Sequence, residues 1–443
     1  MLICLLPDLN ELYNAVLVTF NSDADFTDLE TKFYARNILK FNSYQNLTRS
    51  EQIKDDDTKT QSCFSSYAEN QVMGTFITDF NYNKKKILIV IDSLARGGAE
   101  TMLVNLLKPL SEDYSIILVT LSSKIDFFEN EIICDVRLCL NYDSMKGMLW
   151  AIMKLKKIIK KHKPDLVHCQ LFWSTIIGRF SVPKSIPFIF SIHSQLSQDA
   201  FKANKFARIL EKLTYNKRHN MISVSNAIFK DYATCIGIKG RHFILNNFVQ
   251  EVFFKQQFYF SKQEFFSINL IAVGNLKTAK NYFFLLNVIK EIKNNIQIKL
   301  DIIGDGHLRI PLQEFIDQQQ LPVTLLGQRN DVESLLPHYN LFIMCSFHEG
   351  FGNAPVEAMA IGLPLILNDL EVMKEMSMGN ALFYESGNEQ SLAELLLNLP
   401  KKKQELVSMS EKGKLIAKEN YALEQYVKKL KNIYEIVINE SNW

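Results

Sequence analysis

Short apolar runs alternate with longer amphipathic stretches from Lys84 onward. The first run, KKKILIVI at 84–91, is typical of a strand buried in a parallel sheet, and a helical pattern at 99–110 follows it after a loop. Further strands are predicted at 115–121, 165–170, 187–193 and 221–225, with a helix at 144–162. Because this alternation produces a parallel sheet covered on both faces, residues 84–255 are predicted to form a doubly wound α/β domain.

The alternation begins again after an aromatic-rich linker at 248–267, which contains FVQEVFFKQQFYF. Strands are predicted at 269–274, 298–304, 322–327, 340–346 and 363–368, and helices at 281–293, 307–319, 330–336 and 355–361. Residues 256–415 are therefore predicted to form a second Rossmann-like domain, and one or two amphipathic helices are predicted over 404–438. Two such domains face each other across a cleft, and ligands of these sheets bind outside the carboxyl ends of the strands.

Residues 1–83 differ in composition from the rest of the 443-residue chain. They are acidic, rich in Asn and Ser, and carry no motif, so they form an N-terminal extension of unassigned role. The net charge is −6 over this segment, +12 over residues 84–255 and −4 over residues 256–443. The basic first domain predicts an anionic partner, either a phosphorylated ligand or a membrane surface, and nothing indicates nucleic acid.

The seven cysteines are odd in number and lack C-x-x-C spacing, which indicates free thiols in a reducing compartment rather than disulfides or a zinc site. No apolar stretch reaches the roughly 18 residues that a membrane-spanning helix needs. The first residues lack the basic segment that opens a signal peptide. We therefore expect a cytoplasmic protein.

Two glycines, Gly97 and Gly98, lie between the first predicted strand and the helix after it. Glycine lets the backbone approach a ligand closely, and a helix start offers unpaired N–H groups to an anion. The spacing is not G-x-G-x-x-G, so the dinucleotide-binding fingerprint is absent. Contact with a ligand and a simple tight turn both stay open as interpretations.

A second glycine loop precedes the helix predicted at 355–361, whose first position is predicted at Pro355. Gly350 and Gly352 flank Phe351 in this loop, which follows a predicted buried strand. Such a loop can present several backbone N–H groups to a phosphate.

Two acidic residues flank the same loop. Glu349 lies within it, and Glu357 is predicted in the first turn of the helix. Carboxylates accept hydrogen bonds from hydroxyl pairs, so both side chains are suited to holding a sugar or a ribose. A surface loop with an acidic helix start is the alternative, and the whole segment 346–357 favours the ligand site.

Single residues at two strand ends are also candidates. Lys280 lies in the loop after the strand at 269–274, where it could neutralise a diphosphate. His193 ends the strand at 187–193, at the edge that faces the cleft. Isolated lysines are usually solvated, so the predicted role of Lys280 depends on the segment 346–357 lying in the same cleft. Isolated histidines are more often structural, so both a structural and a functional role stay open for His193.

The predicted helix at 144–163, SMKGMLWAIMKLKKIIKKHK, carries seven lysines and no acidic residue beside Leu149, Trp150 and Met153. This pattern fits an amphipathic helix on an anionic membrane, and equally a packed helix with a solvated basic face. No metal site stands out, because the D-x-D sequence at Asp23 and Asp25 lies in the unassigned extension without a predicted strand before it.

Together these motifs resemble the retaining glycosyltransferases of family four, the glycosyl transferases group 1, which have the GT-B fold. The most specific match is EGFGNAPVEAMAIGLPLI at 349–366, which is similar to the E-x7-E signature of that family. RGGAE at 96–100 is similar to its N-terminal glycine loop, and segments 272–282, 302–306 and 379–384 follow the family's usual succession. The resemblance spans 84–438, about four-fifths of the chain.

The resemblance implies a role for each matching residue. Glu349 would hold hydroxyl groups of the donor sugar, Lys280 would face the diphosphate, and His193 would contact the sugar. Glu357 would bind the ribose, and the final helix, 416–443, would pack back on the first domain. The other donor-binding positions would be Gly98, Asn275, Gly350, Phe351, Gly352 and Asn353.

The implied reaction moves a sugar from a UDP- or GDP-sugar to a hydroxyl group of a saccharide or a lipid-linked saccharide, with retained anomeric configuration and no metal cofactor. The usual setting of relatives is the assembly of bacterial surface polysaccharide or lipopolysaccharide, which would place the protein in the cytoplasm or on the inner face of the plasma membrane.

One position departs from the family pattern. Asn275 stands where the family often has arginine, so the diphosphate clamp lacks a cation unless Lys277 or Arg329 replaces it. With the unusual N-terminal segment, Asn275 leaves open a non-catalytic protein that binds a nucleotide-sugar or scaffolds other enzymes. A sugar-nucleotide epimerase or an inverting transferase on the same fold is a separate alternative.

Overall fold

The computed structural model describes residues 84–142, 147–258 and 267–440. Within these ranges the chain forms two parallel sheets flanked by helices, which confirms the predicted pair of doubly wound Rossmann-like domains. The extension 1–83, with Asp23 and Asp25, lies outside the described residues. None of the described helices combines the length and the apolar character that crossing a bilayer requires.

The first sheet is built from the first half of the described chain. Its strands are β1 (Lys85–Ile91), β2 (Tyr114–Thr120), β3 (Val136–Cys139), β4 (Leu166–Gln170), β5 (Phe188–Ile192), β6 (His219–Ser223) and β7 (His242–Ile244). Its helices are α1 (Gly98–Ser111), α2 (Met148–His162), α3 (Phe172–Ser181), α4 (Ala200–Ala203), α5 (Lys205–Thr214), α6 (Asn226–Cys235) and α7 (Glu251–Phe254). The strand order is β3-β2-β1-β4-β5-β6-β7.

The second sheet follows the same principle. Its strands are β8 (Ile268–Val273), β9 (Ile298–Ile303), β10 (Val323–Gly327), β11 (Leu341–Met344), β12 (Leu365–Asn368) and β13 (Leu382–Tyr384), in the order β10-β9-β8-β11-β12-β13. The helices are α8 (Tyr282–Ile292), α9 (Arg309–Gln318), α10 (Val332–Leu335), α11 (Asn353–Ile361), α12 (Glu371–Ser377), α13 (Glu389–Leu397), α14 (Lys403–Tyr421) and α15 (Leu423–Glu440).

Burial explains why these segments form strands. The residues of β1 from Ile87 to Ile91 are all apolar and buried, because helices cover both faces of the sheet. On one face the core is shared with α1 and α15, and on the other with α2, α3, α5 and α6. The predicted helix at 144–162 begins at Met148 in the described chain, and residues 143–146 lie outside the described ranges.

The chain passes between the two domains at two adjacent points. The Val249 amide donates to the Tyr421 carbonyl at 2.8 Å, and Val249 also forms a parallel bridge with Ala422. Helix α14 packs against α11 of the second domain, whereas α15 buries Tyr434 and Val437 in the core of the first. The return to the first domain therefore occurs at Ala422, not at 416 as expected, because α14 continues unbroken to Tyr421.

Candidate active site

A groove runs between the carboxyl ends of the two sheets and encloses about 550 Å³. Loops after β1, β4 and β5 line one side, and loops after β8 and β11 with the start of α11 line the other. Every site residue predicted from the sequence lies in its wall: Gly98, His193, Asn275, Lys280, Glu349, Gly350, Phe351, Gly352, Asn353 and Glu357. The fold thus collects these separate motifs in one place.

A larger cavity, of about 1130 Å³, lies between α7, α14 and α15. Its wall is formed by helices and the linker rather than by the ends of the parallel strands. Because ligands of doubly wound sheets bind at those strand ends, we place the candidate site in the groove.

Lys280 and Glu349 form an ion pair in the second-domain wall of the groove. The Lys280 Nζ lies 2.5 Å from Glu349 Oε1, and the Ser346 hydroxyl donates to the same oxygen at 2.7 Å. The Phe347 amide donates to the Ala279 carbonyl at 2.8 Å, which joins the loop after β8 to the loop after β11. This backbone contact sets the two charged side chains side by side.

The charge state of Glu349 follows from these partners. Burial alone would raise its pKa, but the Lys280 ammonium and the hydrogen bonds from Lys280 and Ser346 outweigh that effect. Lys277, also in the groove wall, adds a smaller favourable charge. The pKa of Glu349 therefore lies below its ordinary value, and the carboxylate is ionised at neutral pH.

The glycine turn between Glu349 and α11 touches the first domain directly. The Gly350 backbone lies so close to His193 that a Cβ at Gly350 would fall 2.0 Å from the His193 carbonyl oxygen. The Gly350 carbonyl accepts a hydrogen bond from the Ser225 hydroxyl at 2.8 Å. The Phe351 side chain is buried edge-on against Tyr421, so this residue can offer only its backbone to the groove.

Helix α11 begins at Asn353, two residues earlier than predicted. Gly352 precedes it with φ +91°, a left-handed conformation that favours glycine. The prediction of Pro355 as the first helical position was wrong, because the first turn of a helix tolerates proline beyond its first residue. No side chain caps the helix start, so its free N–H groups and the positive end of its dipole are available to an anion.

The earlier helix start changes the position of Glu357. This residue lies in the second turn of α11 rather than the first, yet it still lines the groove. Burial, and to a smaller extent the charge of Glu333, raises the pKa of Glu357 to about 7. A hydroxyl pair that donates to this carboxylate would favour its charged form.

The glycine loop of the first domain faces the start of α11. Helix α1 begins at Gly98 without a side-chain cap, and a Cβ at Gly98 would lie 3.6 Å from the side-chain nitrogen Nδ2 of Asn353. The Asn247 amide donates to Asn353 Oδ1 at 2.8 Å. Two uncapped helix starts, one from each domain, therefore border the same groove.

His193 follows the last residue of β5 and is held in one tautomer. Its Nε2 lies 2.6 Å from the side-chain oxygen Oε1 of Gln170, which can only accept, so Nε2 carries the proton and donates. The Gln170 amide nitrogen faces His168, which is itself bonded to Ser191 and to Tyr434 of α15. Burial lowers the pKa of His193 to about 4. The imidazole is therefore neutral at physiological pH, with a buried Nδ1 that makes no hydrogen bond in the described chain.

The cations near Asn275 can now be placed. Lys277 lines the groove, whereas Arg329 is bonded to Asp331 at 2.5 Å and does not belong to the groove wall. Arg96 also lines the groove and reaches Asn330 of the second domain at 3.1 Å. Lys277 and Arg96 therefore lie in the groove wall with Asn275, and Arg329 does not.

Several residues of the site were not predicted from the sequence. Gln170, Asn247 and Ser225 bond to predicted site residues from distant parts of the chain. Gln170 is the last residue of a predicted strand, and a polar residue at the carboxyl end of a strand could have indicated that it belongs to the site. Asn247 and Ser225 lie in segments without a motif, so only the folded chain reveals them.

A smaller cavity of about 200 Å³ adjoins the groove on the first-domain side. It shares His193, Ser194 and Asp199 with the groove, and Phe172 and Phe190 contribute apolar wall. Among the described residues, no group of three or more His, Cys, Asp or Glu side chains is arranged to hold a metal ion.

Two family models match most of the described chain. The model for "Glycosyltransferase Family 4" matches residues 96–251, and the model for "Glycosyl transferases group 1" matches residues 256–416. They correspond to the first and second domains, and both site segments fall within them.

Similar sequences carry glycosyltransferase names. One is the GalNAc-alpha-(1->4)-GalNAc-alpha-(1->3)-diNAcBac-PP-undecaprenol alpha-1,4-N-acetyl-D-galactosaminyltransferase of Campylobacter jejuni, which is 26% identical over 62% of this chain and 76% of its own. Another is the UDP-Gal:alpha-D-GlcNAc-diphosphoundecaprenol alpha-1,3-galactosyltransferase of Escherichia coli, 26% identical over 53% of this chain and 65% of its own.

Solved structures share the fold at lower identity. The Anabaena protein HepE in complex with UDP-glucose superposes with a TM-score of 0.67 at 18% identity, covering 79% of this chain and 99% of its own. Sucrose-phosphate synthase from Thermosynechococcus elongatus gives a TM-score of 0.67 at 14% identity, covering 81% of this chain and 100% of its own. These solved structures and the two-sheet architecture show the GT-B fold. The two family models and the similar sequences show that this chain belongs to glycosyltransferase family 4.

Proposed function

We propose that the chain is a retaining glycosyltransferase that moves a sugar from a nucleoside diphosphate sugar to a hydroxyl group of an acceptor. The observation that carries this proposal is the Lys280–Glu349 pair beside the uncapped start of α11, in a groove that both domains line. Positive groups for a diphosphate and a carboxylate for sugar hydroxyls stand next to each other there.

The proposed chemistry requires stabilisation of the leaving group. As the bond from the anomeric carbon to the diphosphate oxygen breaks, negative charge builds on the phosphate and positive charge on the sugar. Lys280 and the N–H groups at the start of α11 would stabilise the phosphate, with Lys277 and Arg96 nearby. These groups supply positive charge without a metal ion, so we propose transfer without a metal cofactor.

Glu349 would hold the donor sugar rather than attack it. Its carboxylate already accepts hydrogen bonds from Lys280 and Ser346, which fixes its orientation. Neutral His193, with its Nε2 held by Gln170, lines the groove and would contact the donor sugar there. Glu357 would receive the ribose hydroxyls. With no covalent nucleophile assigned, the acceptor hydroxyl would bond to the anomeric carbon on the face that the diphosphate leaves, and its proton would pass to the departing phosphate oxygen. Attack on that face retains the configuration.

The donor is proposed to be a UDP- or GDP-sugar. The name of the Escherichia coli relative specifies UDP-galactose, and HepE was solved with UDP-glucose. The 550 Å³ groove lies within the usual range for pockets that bind small molecules, about 300–1,000 Å³.

The acceptor is proposed to be a saccharide or a lipid-linked saccharide of a surface polysaccharide or lipopolysaccharide. Both named relatives act on undecaprenol-linked sugars according to their names. The 200 Å³ cavity beside His193 would admit the reacting end of such an acceptor, with aromatic walls for its apolar face. The enzyme would work in the cytoplasm, at the inner face of the plasma membrane.

The test is a transfer assay with anomeric analysis of the product by NMR. We expect wild-type protein to transfer sugar with retained configuration and Glu349→Ala to lose transfer while it stays folded. Net inversion would identify an inverting enzyme on this fold. Donor binding without turnover across a broad acceptor set would identify a non-catalytic binding protein.

A further inference from the structure

Helix α5 carries an apolar stripe on its outer face. Phe206, Ile209 and Leu213 are 51%, 54% and 78% exposed, and they lie at helical spacings that place them in one row. The opposite face of the same helix is buried through Ala207 and Leu210. The helix is therefore packed on the sheet by one apolar face and presents a second apolar face outward.

Helix α2 has the same two-sided character. Leu149, Trp150 and Met153 are each more than half exposed, while Ile152 and Leu155 are buried against the sheet. These exposed side chains are large, and a helix that only presented a basic face to solvent would not need to expose them. Exposed apolar side chains of this size that lie together mark a site of interaction with a protein or a membrane.

These two helices lie on the same face of the first sheet. The connections that contain α2, α3 and α5 all cross the sheet in one direction, from β3 towards β6, and right-handed crossovers then place the three helices on one side. Helix α3 packs against both α2 and α5, and its Phe180 is 45% exposed. The two apolar groups therefore lie on one face of the first domain, the docking face, formed by the outer sides of α2, α3 and α5.

The exposed charges on α2 and α5 are all positive. Helix α2 carries exposed Lys156, Lys157, Lys160 and Lys161 and no acidic residue. On α4 and α5 the exposed charged side chains are Lys202, Lys205, Arg208 and Lys212, and the exposed acid Asp199 precedes α4 at the rim of the groove. The one acid of α5, Glu211, is turned inward and paired with Arg179 at 2.7 Å.

We propose that the docking face binds the surface of an anionic lipid bilayer. Its apolar side chains would enter the boundary between headgroups and acyl chains, and its lysines would meet the headgroup phosphates. Mixed apolar and basic character over three helices, with no exposed acid on α2 or α5, matches a uniformly anionic surface. A folded protein partner would normally present charges of both signs.

The docking face adjoins the acceptor side of the groove. The segment from His193 to Asp199 lines the groove, and the chain then enters α4 and α5 directly. Resting on α5 would hold this rim of the groove next to the lipid surface. A lipid-linked acceptor could then reach the groove without leaving the membrane, and this advantage rests on the proposed function. The binding of the docking face to the bilayer does not depend on the reaction.

The experiment is flotation of the full chain with vesicles of phosphatidylcholine alone or with 30% phosphatidylglycerol. We expect binding to the anionic vesicles only, and a loss of at least tenfold in two variants. One is Phe206→Ser with Ile209→Ser and Leu213→Ser, and the other is Lys156→Glu with Lys157→Glu and Lys160→Glu.

Matched controls lie elsewhere on the surface. Ile310→Ser with Leu415→Ser removes equally exposed apolar side chains, and Lys299→Glu with Lys412→Glu and Lys429→Glu removes equal charge. Both controls should float like wild type. The proposal would be overturned if the docking-face variants floated like wild type, or if the controls lost as much flotation as those variants. It would also be overturned if anionic vesicles did not capture the wild-type protein. UDP-sugar binding by the same variants reports separately on the groove and should stay unchanged.

Discussion

The ammonium of Lys280 lies 2.5 Å from the Glu349 carboxylate, within a groove that neither domain could form alone. The lysine comes from the loop after β8 and the acid from the loop after β11, adjacent strands of the second sheet. The glycine turn beside this pair contacts His193 of the first domain. The approach of the two domains therefore fixes the geometry of the candidate site.

Replacement of Glu357 should remove a pH dependence of donor binding. Its pKa is raised to about 7, so its contribution to stability is full below the ordinary value of 4.5 and is lost as pH rises through about 7. Ribose hydroxyls favour the charged form, so the affinity for a UDP-sugar should increase with pH, by at most about tenfold per unit, and level off above pH 7. Calorimetric titration between pH 5.5 and 8.5 measures this, with Glu357→Gln expected to give a flat profile. A flat profile for wild type would contradict the assigned role.

A methyl group at Gly350 should disturb the contact between the domains. The added Cβ would fall 2.0 Å from the His193 carbonyl, a rigid backbone atom, so Gly350→Ala must push the turn away from the first domain. We expect kcat/KM to fall by about two orders of magnitude, because misplaced groups lose much of their catalytic effect. Gly147→Ala is the control, since its Cβ would meet the nearest side chain at an ordinary 3.7 Å. Equal activity of the two variants would show that the close approach has no role.

The tautomer of His193 should depend on Gln170. Gln170→Leu removes the acceptor of the Nε2 proton and should lower kcat by roughly tenfold or more, with a smaller change in the KM of the donor. Gln170→Glu places a carboxylate beside the imidazole, which raises its pKa from about 4 towards neutrality. The pH–rate profile of this variant should then lose activity on the acid side, near pH 6 to 7. Profiles that match wild type in both variants would exclude the positioning role.

Removal of one partner of the buried ion pair of Arg179 and Glu211 should destabilise the first domain strongly. The two side chains meet at 2.7 Å and are almost fully buried, and Tyr232 also donates to Glu211 at 2.5 Å. Arg179→Met leaves a buried carboxylate without its cation and should cost about 3–5 kcal/mol in the free energy of unfolding by urea. Lys402→Ala, which breaks the exposed pair with Glu405, should cost no more than about 1 kcal/mol. Comparable losses in the two variants would contradict this account.

Much of the fold could be predicted because the central strands are buried on both faces. Residues 87–91 of the predicted strand 84–91 and residues 270–273 of the predicted strand 269–274 are apolar, and they lie in β1 and β8. The short strands β3 and β7 were missed, since their residues are only half-buried or exposed and carry no continuous apolar run. Periodicity reports burial, so strands at the sheet edge give a weak signal.

The site could be predicted where its residues are adjacent in sequence, as in the segment 346–357. Local sequence could not show that His193 is oriented by Gln170, or that Tyr434 bonds to His168 across 266 positions. The predicted start of α11 lay two residues after the observed one, because proline is accepted at more than one position in the first turn of a helix. The outward apolar row on α5 was also not predicted, since a sequence pattern does not distinguish an apolar face that packs from one that stays exposed.

The most direct test of the central claim is thermal unfolding of the full chain with UDP-, GDP- and ADP-sugars, in wild type and in Lys280→Ala. A bound donor at one hundred times its Kd stabilises the folded state by about 2.7 kcal/mol, so the melting temperature should rise by several degrees with one class of donor. Lys280→Ala should lose most of this shift, whereas Lys299→Ala, an exposed lysine of β9, should keep it. No shift with any donor, or an equal shift in Lys280→Ala, would contradict the assignment of the groove as the donor site.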